Sequence, residues 1–469
     1  MYKKYGIVIL VLFCLANFAP YSFCQENKAN TQLSLSLQDA ITIAFKHNKD
    51  IQIQEQEIDI AKADILGAQS EFLPKVNLNA GYTHNGTILN LSSISSGALK
   101  KDIGVVSGYK NDNRLGISID ESVYNGGANM ANFKQALLGL KVQEETLRSR
   151  KLEVEFETKR LYYGLLLAYE TERIAQDLVN QSQSHYEDVK NKFEQGTSSR
   201  FDLLQSKVQV SKLMPELVRA KNAIDLIMAD LKKLLGFKMQ DSFSLKEKLS
   251  YSLIQIKEDE FLKLAYLNKP EMILKSLGID ISKWLIEMAR AGNRPRVNAD
   301  LDYSYRSNNL GNMLNNRHSN WNAGFTITIP IFDGFSTKAK VDAAKSRYAQ
   351  EVLGKEDLNE QIAVDVRSAC LDLKQAETII NSQKDNIEEA REALRIAQVS
   401  YDNGVGTNLD VLDAQVSLSQ IEQNYSSAVY DYLMAKAYLD RTMAKGFFPP
   451  QIVADPPLAE EEAKNEKKD

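Results

Sequence analysis

Cysteine and histidine, which hold most structural metals and disulfide frameworks, are scarce in this sequence. There are three cysteines and four histidines, and the histidines are scattered over positions 47, 84, 185 and 318. Neither a zinc site nor a disulfide framework is therefore expected. Cys370 falls on an apolar helical position, which predicts a small buried thiol. Acidic residues outnumber basic ones, with a formal net charge of −5, and this balance argues against nucleic acid as a partner.

Long hydrophobic runs are absent after the first residues. The apolar stretch at 6–19 follows two lysines, which is typical of a secretory signal, and it is too short to span a bilayer. We therefore expect 1–24 to be a signal peptide and the rest of the chain to be exported. Acylation of Cys24 is the alternative, disfavoured by the bulky Phe23 before it. The charged end, 449–469, is expected to be disordered.

The sequence contains an internal duplication. Residues 186–212 align without gaps with residues 394–420, and VYNGG matches IFDGF at the same offset. Such self-similarity predicts two copies of one structural unit. We place the copies at 25–240 and 241–448, each running helix, strand, loop, strand, long helix, turn, helix.

Proline is absent from two long stretches, 128–193 and 336–401. At 1.5 Å per residue, each predicts a helix about 100 Å long. In the second stretch, apolar residues recur in alternating steps of four and three, the 3.5-residue period of a left-handed coiled coil. In the first stretch the same frame is interrupted by Thr158, Glu172 and Ser182. Long helices alone would also fit a cytoskeletal-type rod.

Four segments alternate apolar and polar residues and predict strands, namely 76–83, 114–121, 296–306 and 321–331. Strands of about ten residues with one apolar face are typical of transmembrane β-barrels, although a sheet on a soluble core alternates too. The long polar loops 84–113 and 307–320 favour the barrel. Four strands cannot close a barrel, and open edges are not tolerated in lipid. Three copies would supply twelve strands, so the sequence predicts a trimeric 12-stranded β-barrel continued by a coiled-coil α-helical barrel.

The duplicated layout, FLPKVNL before the first strand, PIFDGF after the last, and YDNGVGTNLDVLDAQ at 401–415 resemble the outer-membrane efflux protein family of TolC-like channels. The resemblance covers 33–448. It implies a mixed α and membrane-β fold, a homotrimer, and a periplasmic α-barrel girdled midway by 237–260 and the chain end. It also implies location in the bacterial outer membrane, within outer-membrane lipid, with a periplasmic adaptor and an inner-membrane pump as partners. The implied role is a passive exit duct for efflux or type I secretion, with neither catalysis nor a cofactor.

The segment at 401–415 separates two predicted helices. We expect Gly404 and Gly406 to adopt positive φ in a tight turn, and Thr407 or Asn408 to cap the next helix. Two glycines without a third and without a preceding strand do not make a dinucleotide loop. The spacing does not fit a calcium loop either.

By the resemblance, Asp410 and Asp413 would form an acidic constriction ring at the closed periplasmic end. Capping alone would explain Asp410 but not Asp413. The resemblance also implies a latch between Tyr401 and Asp202. Adaptor docking is expected at the two turns, through Gly196, Thr197, Gly404, Gly406 and Thr407.

This sequence departs from the family at two positions, with Gly406 in place of an arginine and Phe201 in place of a small hydroxyl residue. A second family latch is therefore not expected. Two other interpretations remain open at this point. One is a periplasmic or lipid-anchored coiled-coil scaffold without a pore, which leaves the strands unexplained. The other is a hydrolase using Asp410 and Asp413, for which the sequence offers no surrounding pocket.

Overall fold

The computed structural model describes residues 33–86, 110–312, 314–315 and 319–446. The expected signal peptide, the charged tail and the middle of the first polar loop lie outside the described residues.

The described strands and α-helices form two series with the same order: strand, two helices, two strands, two helices. The first series is β1 (Leu33–Leu35), α1 (Leu37–His47), α2 (Lys49–Ser70), β2 (Lys75–His84), β3 (Asn111–Asn125), α3 (Ala128–Glu194) and α4 (Arg200–Leu235). The second is β4 (Phe243–Leu245), α5 (Glu258–Asn268), α6 (Pro270–Arg290), β5 (Arg296–Ser307), β6 (Ser319–Thr328), α7 (Ser336–Asp402) and α8 (Asn408–Thr442). The leading strand and short helix of each series are additions to the order predicted from sequence.

The two long helices, α3 and α7, are the frame of the molecule. Each has 67 residues, so each is about 100 Å long, as predicted. One half of α3 packs against α2 and α6, and the other half against α4 and α8. The predicted coiled-coil frame of α7 is confirmed, because Ile362, Leu373 and Ile380 are fully buried. Cys370 is buried as predicted, and burial raises the pKa of its thiol.

The four predicted strands form one antiparallel sheet in the order β2-β3-β5-β6. β6 ends at Thr328 and not at Ile331 as predicted. Pro330 has no backbone N–H to continue the ladder, and Ile331 is exposed. A β-bulge interrupts β3 between Glu121 and Tyr124.

The two faces of this sheet differ in chemistry. One register row joins an apolar set across all four strands, Leu78, Ile117, Tyr303 and Trp321, and all four are exposed. The neighbouring row is polar: Asn77, Ser118, Asp302 and Asn322. Within the described residues nothing covers the apolar face, and β2 and β6 each keep one unpaired edge.

A mixed region surrounds the long helices near their midpoints. β1 pairs in parallel with β4, and the Tyr162 hydroxyl of α3 donates to the Leu35 carbonyl. On the other side, the Tyr432 hydroxyl of α8 accepts from the Ile254 N–H and donates to the Ser252 carbonyl. The segment 237–260 therefore lies midway along the helices, joined there by β1 and α1.

Candidate functional site

The two turns, 195–199 and 403–407, close the α3/α4 and α7/α8 hairpins with the same backbone. Gly196 and Gly404 have φ of 78° and 74°, and their amides donate to Phe193 and Tyr401 carbonyls. A Cβ would meet open space at either glycine. The left-handed conformation alone therefore requires glycine at both positions, as predicted for Gly404.

Gly406 corrects the sequence prediction, because it does not have a positive φ. A Cβ there would lie 2.9 Å from Ser400 Cβ and 3.0 Å from the Tyr401 nitrogen. Glycine is needed at this position for close approach of the chain to the end of α7. In the first turn the corresponding residue is Ser198, whose hydroxyl is buried without a hydrogen-bond partner in the described residues.

Each turn leads into a capping box. The Ser199 hydroxyl accepts from the Asp202 N–H, and the Thr407 hydroxyl accepts from the Asp410 N–H. Asp410 in turn accepts from the Thr407 N–H at 2.8 Å. Thr407, and not Asn408, is the cap. The hydrogen bonds from Thr407 lower the pKa of the Asp410 carboxyl.

The predicted constriction residues both face solvent in the single chain. Asp410 is held in its capping box, while Asp413 lies one turn further along α8. Asp413 borders a groove of about 920 Å³ between α4 and α8. The groove is lined mainly by apolar side chains, among them Phe201, Leu204, Val208, Leu409, Leu412 and Val416.

The predicted partners Tyr401 and Asp202 do not bond to each other in the single chain. Asp202 accepts from the Ser199 hydroxyl at 2.6 Å. The Tyr401 hydroxyl is buried and has no hydrogen-bond partner among the described residues. The latch between these two residues therefore stays a prediction, and the unpartnered hydroxyl is the feature that it would satisfy.

A set of buried and half-buried polar side chains joins the two hairpins beside the turns, and we call it the polar seam. Its members are Ser182 and His185 on α3, Gln205 and Ser206 on α4, and Asn408 and Gln415 on α8. His185 Nε2 lies 2.7 Å from Asn408 Oδ1, and Asn408 Nδ2 donates to Gln205 Oε1 at 3.0 Å. Ser182 lies about one turn before His185 on α3, and its hydroxyl donates to Gln415 Oε1 at 3.2 Å.

Lys192 and Tyr401 form the solvent-facing side of this junction. The Lys192 ammonium lies 4.2 Å from the centre of the Tyr401 ring and 2.9 Å from Asp402 Oδ1. The Tyr401 ring also contacts the His185 ring in an edge-to-face arrangement, with 5.3 Å between the two ring centroids. The end of α7 therefore contacts α3 through the cation–π contact and ion pair of Lys192 and through the ring of His185.

The polar seam was not predicted from the sequence. In the sequence, His185 is one of four scattered histidines, and Asn408 reads only as a possible helix cap. The signal that could have found the seam is Ser182, a polar residue in the apolar coiled-coil frame, since a buried hydroxyl needs a partner on the facing helix. Within the described residues there is no group of three or more histidine, cysteine or acidic residues arranged to hold a metal.

Comparison with known proteins gives consistent results. A family model described as outer membrane efflux protein matches residues 40–237 and 262–445. The alkaline protease secretion protein AprF of Pseudomonas aeruginosa is 21% identical over 411 residues, which cover 87% of this chain and 84% of that protein. The outer membrane protein TolC of Vibrio cholerae is 22% identical over 388 residues, covering 80% of this chain and 83% of that protein.

The fold is shared with solved outer-membrane channels. The structure of the Campylobacter jejuni CmeC outer membrane channel superimposes with a TM-score of 0.75 at 19% identity, covering 92% of this chain and 89% of that one. None of the helices in the described ranges is both long and apolar enough to cross a membrane.

Proposed function

Because the chain belongs to the outer membrane efflux protein family, we propose that this outer-membrane protein is a passive exit duct. The four-stranded sheet would be one third of a barrel in the outer membrane, and the long helices would continue it as a tube through the periplasm. The family consists of channel proteins and not of enzymes. Transport would follow the gradient or the push of a partner pump, with no chemistry on the cargo.

The observation that supports the duct best is the sheet. Its apolar face is uncovered and both its edges are unpaired within the described residues. In lipid the apolar face is favourable, but each unpaired edge leaves backbone N–H and C=O groups without partners. A homotrimer removes every edge with twelve strands, within the range of known barrels.

The helical end supports the same assembly. The groove between α4 and α8 exposes Phe201, Leu204 and Val208, and clustered exposed apolar side chains are typical of an interaction surface. We infer that helices of a neighbouring protomer cover it. Asp413 borders this groove, so three protomers would bring their Asp410 and Asp413 carboxylates together as a ring of six.

The gate would lie at this end. A ring of six carboxylates favours cations and disfavours anions in a narrow pore. A bond between Tyr401 and Asp202 would satisfy the buried hydroxyl in the closed trimer. A periplasmic adaptor would engage the exposed turns at Gly196, Thr197, Gly404, Gly406 and Thr407, and connect the duct to an inner-membrane pump of a tripartite efflux or type I secretion system.

The test is single-channel conductance of the purified protein in a planar bilayer, beside an Asp410→Asn/Asp413→Asn variant. Asparagine keeps an oxygen that can accept at the cap but removes the charge. The matched control is Asp59→Asn/Asp64→Asn, which removes the same charge from exposed sites on α2. We expect discrete cation-selective steps whose selectivity and block by multivalent cations are lost in the tip variant and kept in the control.

One outcome would contradict the acidic ring alone, and another would contradict the duct. Conductance steps with unchanged selectivity in the tip variant would support the duct but show that Asp410 and Asp413 do not form a selective ring. No steps from protein shown to be trimeric and inserted would refute the duct and favour the coiled-coil scaffold.

A further inference from the structure

The polar seam lies where the two hairpins of one protomer meet. His185 and Asn408, which bond across it, are 223 residues apart in sequence. Its central residue, Asn408, is the first residue of α8 and is 3% exposed. It contacts α3 through His185 and α4 through Gln205 and Ser206. Separation of the hairpins at the turns must break these hydrogen bonds, whereas the apolar packing of α7 on α8 would stay intact.

The hydrogen bonds of Asn408 identify which nitrogen of the neutral His185 ring carries the proton. Asn408 Oδ1 can only accept. The Ser206 hydroxyl lies 3.1 Å from this oxygen and 2.9 Å from the Asp202 carbonyl oxygen, with one proton for two acceptors. Because His185 Nε2 lies 2.7 Å from Asn408 Oδ1, Nε2 carries a proton and donates to this oxygen in the neutral ring as in the charged one. A second proton on the ring would place a positive charge on a side chain that is 6% exposed.

The surroundings of His185 disfavour that charge. Desolvation is the largest influence and lowers the pKa of the imidazole, and the nearby Lys192 ammonium lowers it further. The hydrogen bond to Asn408 and the carboxylates of Asp188 and Asp402 act in the opposite direction. Asp402 is largely solvent-exposed and already paired with Lys192, so its influence is screened.

Titratable groups face the ring from two of the helices packed against it. On α3 they are Asp188 and Lys192, and on α7 they are Tyr401 and Asp402. The α4 and α8 side chains that contact the seam are amides and a hydroxyl, which do not titrate. The nearest carboxylates at the starts of these helices, Asp202 and Asp410, accept from their own caps. His185 is therefore the titratable member of the polar seam.

We propose that the polar seam is a proton-sensitive lock between the hairpins, in which neutral His185 holds α3 to α8 and its protonation favours separation. The proposal rests on the proposed function in one respect, since it takes movement of the hairpins to open the duct. Charge on the ring is solvated when the hairpins part and is unsolvated when they are joined. Acid therefore opens the tip.

The direction follows from proton linkage. His185 binds its second proton less readily in the joined state, so a fall in pH shifts the equilibrium toward the separated state. Stabilisation of the joined state is complete above the ordinary pKa of about 6.5. It is lost as the pH falls through that value toward the lowered pKa of the joined state. Carboxylates of ordinary pKa, about 4, stay charged in this range.

The experiment compares open probability in planar bilayers at pH 7.5 and pH 5.5 for wild type, His185→Gln and His47→Gln. Glutamine can donate one N–H to Asn408 but cannot gain a charge, and His47 is an exposed histidine on α1. We expect the open probability of wild type and of His47→Gln to rise about threefold or more on acidification. The open probability of His185→Gln should change by less than about 1.5-fold, because glutamine binds no proton in this pH range. An equal rise in His185→Gln would overturn the proposal.

A second measurement separates failure of the lock from failure of the duct. Spin labels on the exposed turns at Thr197 and Val405 report the distance between hairpins in the intact protein without reference to conductance. We expect that distance to increase at pH 5.5 in wild type and His47→Gln, but not in His185→Gln. If the distance responds in this way and no channel steps are seen, the lock stands and the duct fails. If channel steps are seen and the distance does not respond to pH, the lock fails and the duct stands.

Discussion

The turns at 195–199 and 403–407 have the same backbone hydrogen bonds and the same capping box, but the residues that follow them face different surroundings. Arg200, the first residue of α4, is exposed, whereas Asn408, the first residue of α8, is buried between helices. The last aromatic residue before each turn differs in the same way. Phe193 is exposed, whereas the Tyr401 hydroxyl is buried.

This difference shows that local sequence determines the shape of a turn and that packing determines its role. Each turn needs one glycine in the left-handed conformation and one capping hydroxyl, and both have them. Only after the second turn is the first helical residue, Asn408, buried against the other hairpin. If the tip moves, we expect the second turn to control the movement and the first to follow it.

The largest effect is expected for Asn408→Ala compared with Arg200→Ala. Loss of Asn408 leaves His185 and Gln205 without their partner in a buried place, and each unsatisfied buried group costs about 1–3 kcal/mol. Loss of the exposed Arg200 should change stability by no more than about 0.5 kcal/mol. Hydrogen exchange at the amides of the first turn of α8, followed by mass spectrometry, measures both. Equal exchange in the two variants would show that the hairpins are not joined through Asn408.

The next largest effect is expected from adding a Cβ to the second turn, compared with a change in the first turn that adds no atoms. In Gly406→Ala the new Cβ meets Ser400 Cβ and the backbone of α7, and relieving such an overlap costs about 1–3 kcal/mol. Ser198→Ala is the matched change in the first turn, where a Cβ is already accommodated, and it also removes an unpartnered hydroxyl. We expect faster exchange around 403–407 for the first variant and no loss of protection around 195–199 for the second. Unchanged protection at 403–407 would mean that the close approach at Gly406 is not needed.

A smaller and equal effect is expected from the caps. Thr407→Ala and Ser199→Ala each remove a capping hydroxyl, which contributes about 1 kcal/mol to helix stability. The second cap also has a pH dependence, because the pKa of Asp410 is lowered in the folded turn. Its contribution is complete above the ordinary aspartate pKa, about 3.9, and is lost as the pH falls through the lowered value. The hydrogen-exchange protection of α8 should therefore decrease below pH 4 in wild type but not in Thr407→Ala. A decrease between pH 5 and 7 would have to come from His185 instead.

The sequence determined most of the fold because the relevant signals are local. The 3.5-residue period and the absence of proline placed the ends of α3 and α7 within one residue. Strict alternation placed the four strands, and only Pro330 shortened the last of them. Strands of three residues, such as β1 and β4, are too short to show a period and were missed.

The polar seam could not be predicted in the same way. His185 and Asn408 are each unremarkable on their own helix, and their contact exists only because two hairpins from distant parts of the chain pack together. Alignment of the two sequence copies does not predict the polar seam either, since Asn408 corresponds to the exposed Arg200. Ser182 in the apolar frame was the one local indication that a buried partner, here Gln415, was needed.

The smallest effect is expected for the ion pair between Lys192 and Asp402, which links the end of α3 to the end of α7. Both side chains are partly or largely exposed, so Lys192→Ala should cost about 0.2–1 kcal/mol, less at high salt. Lys190→Ala is the control, because among the described residues Lys190 forms its ion pair within α3, with Glu187.

A second consequence of Lys192→Ala distinguishes this pair from an ordinary surface contact. The Lys192 ammonium lowers the pKa of His185, so its removal should raise that pKa and move the acid response of the spin-label distance to higher pH. Lys190→Ala should leave the midpoint unchanged. A midpoint that is the same in both variants would show that Lys192 stabilises the tip only through Asp402 and Tyr401, and that His185 does not sense its charge.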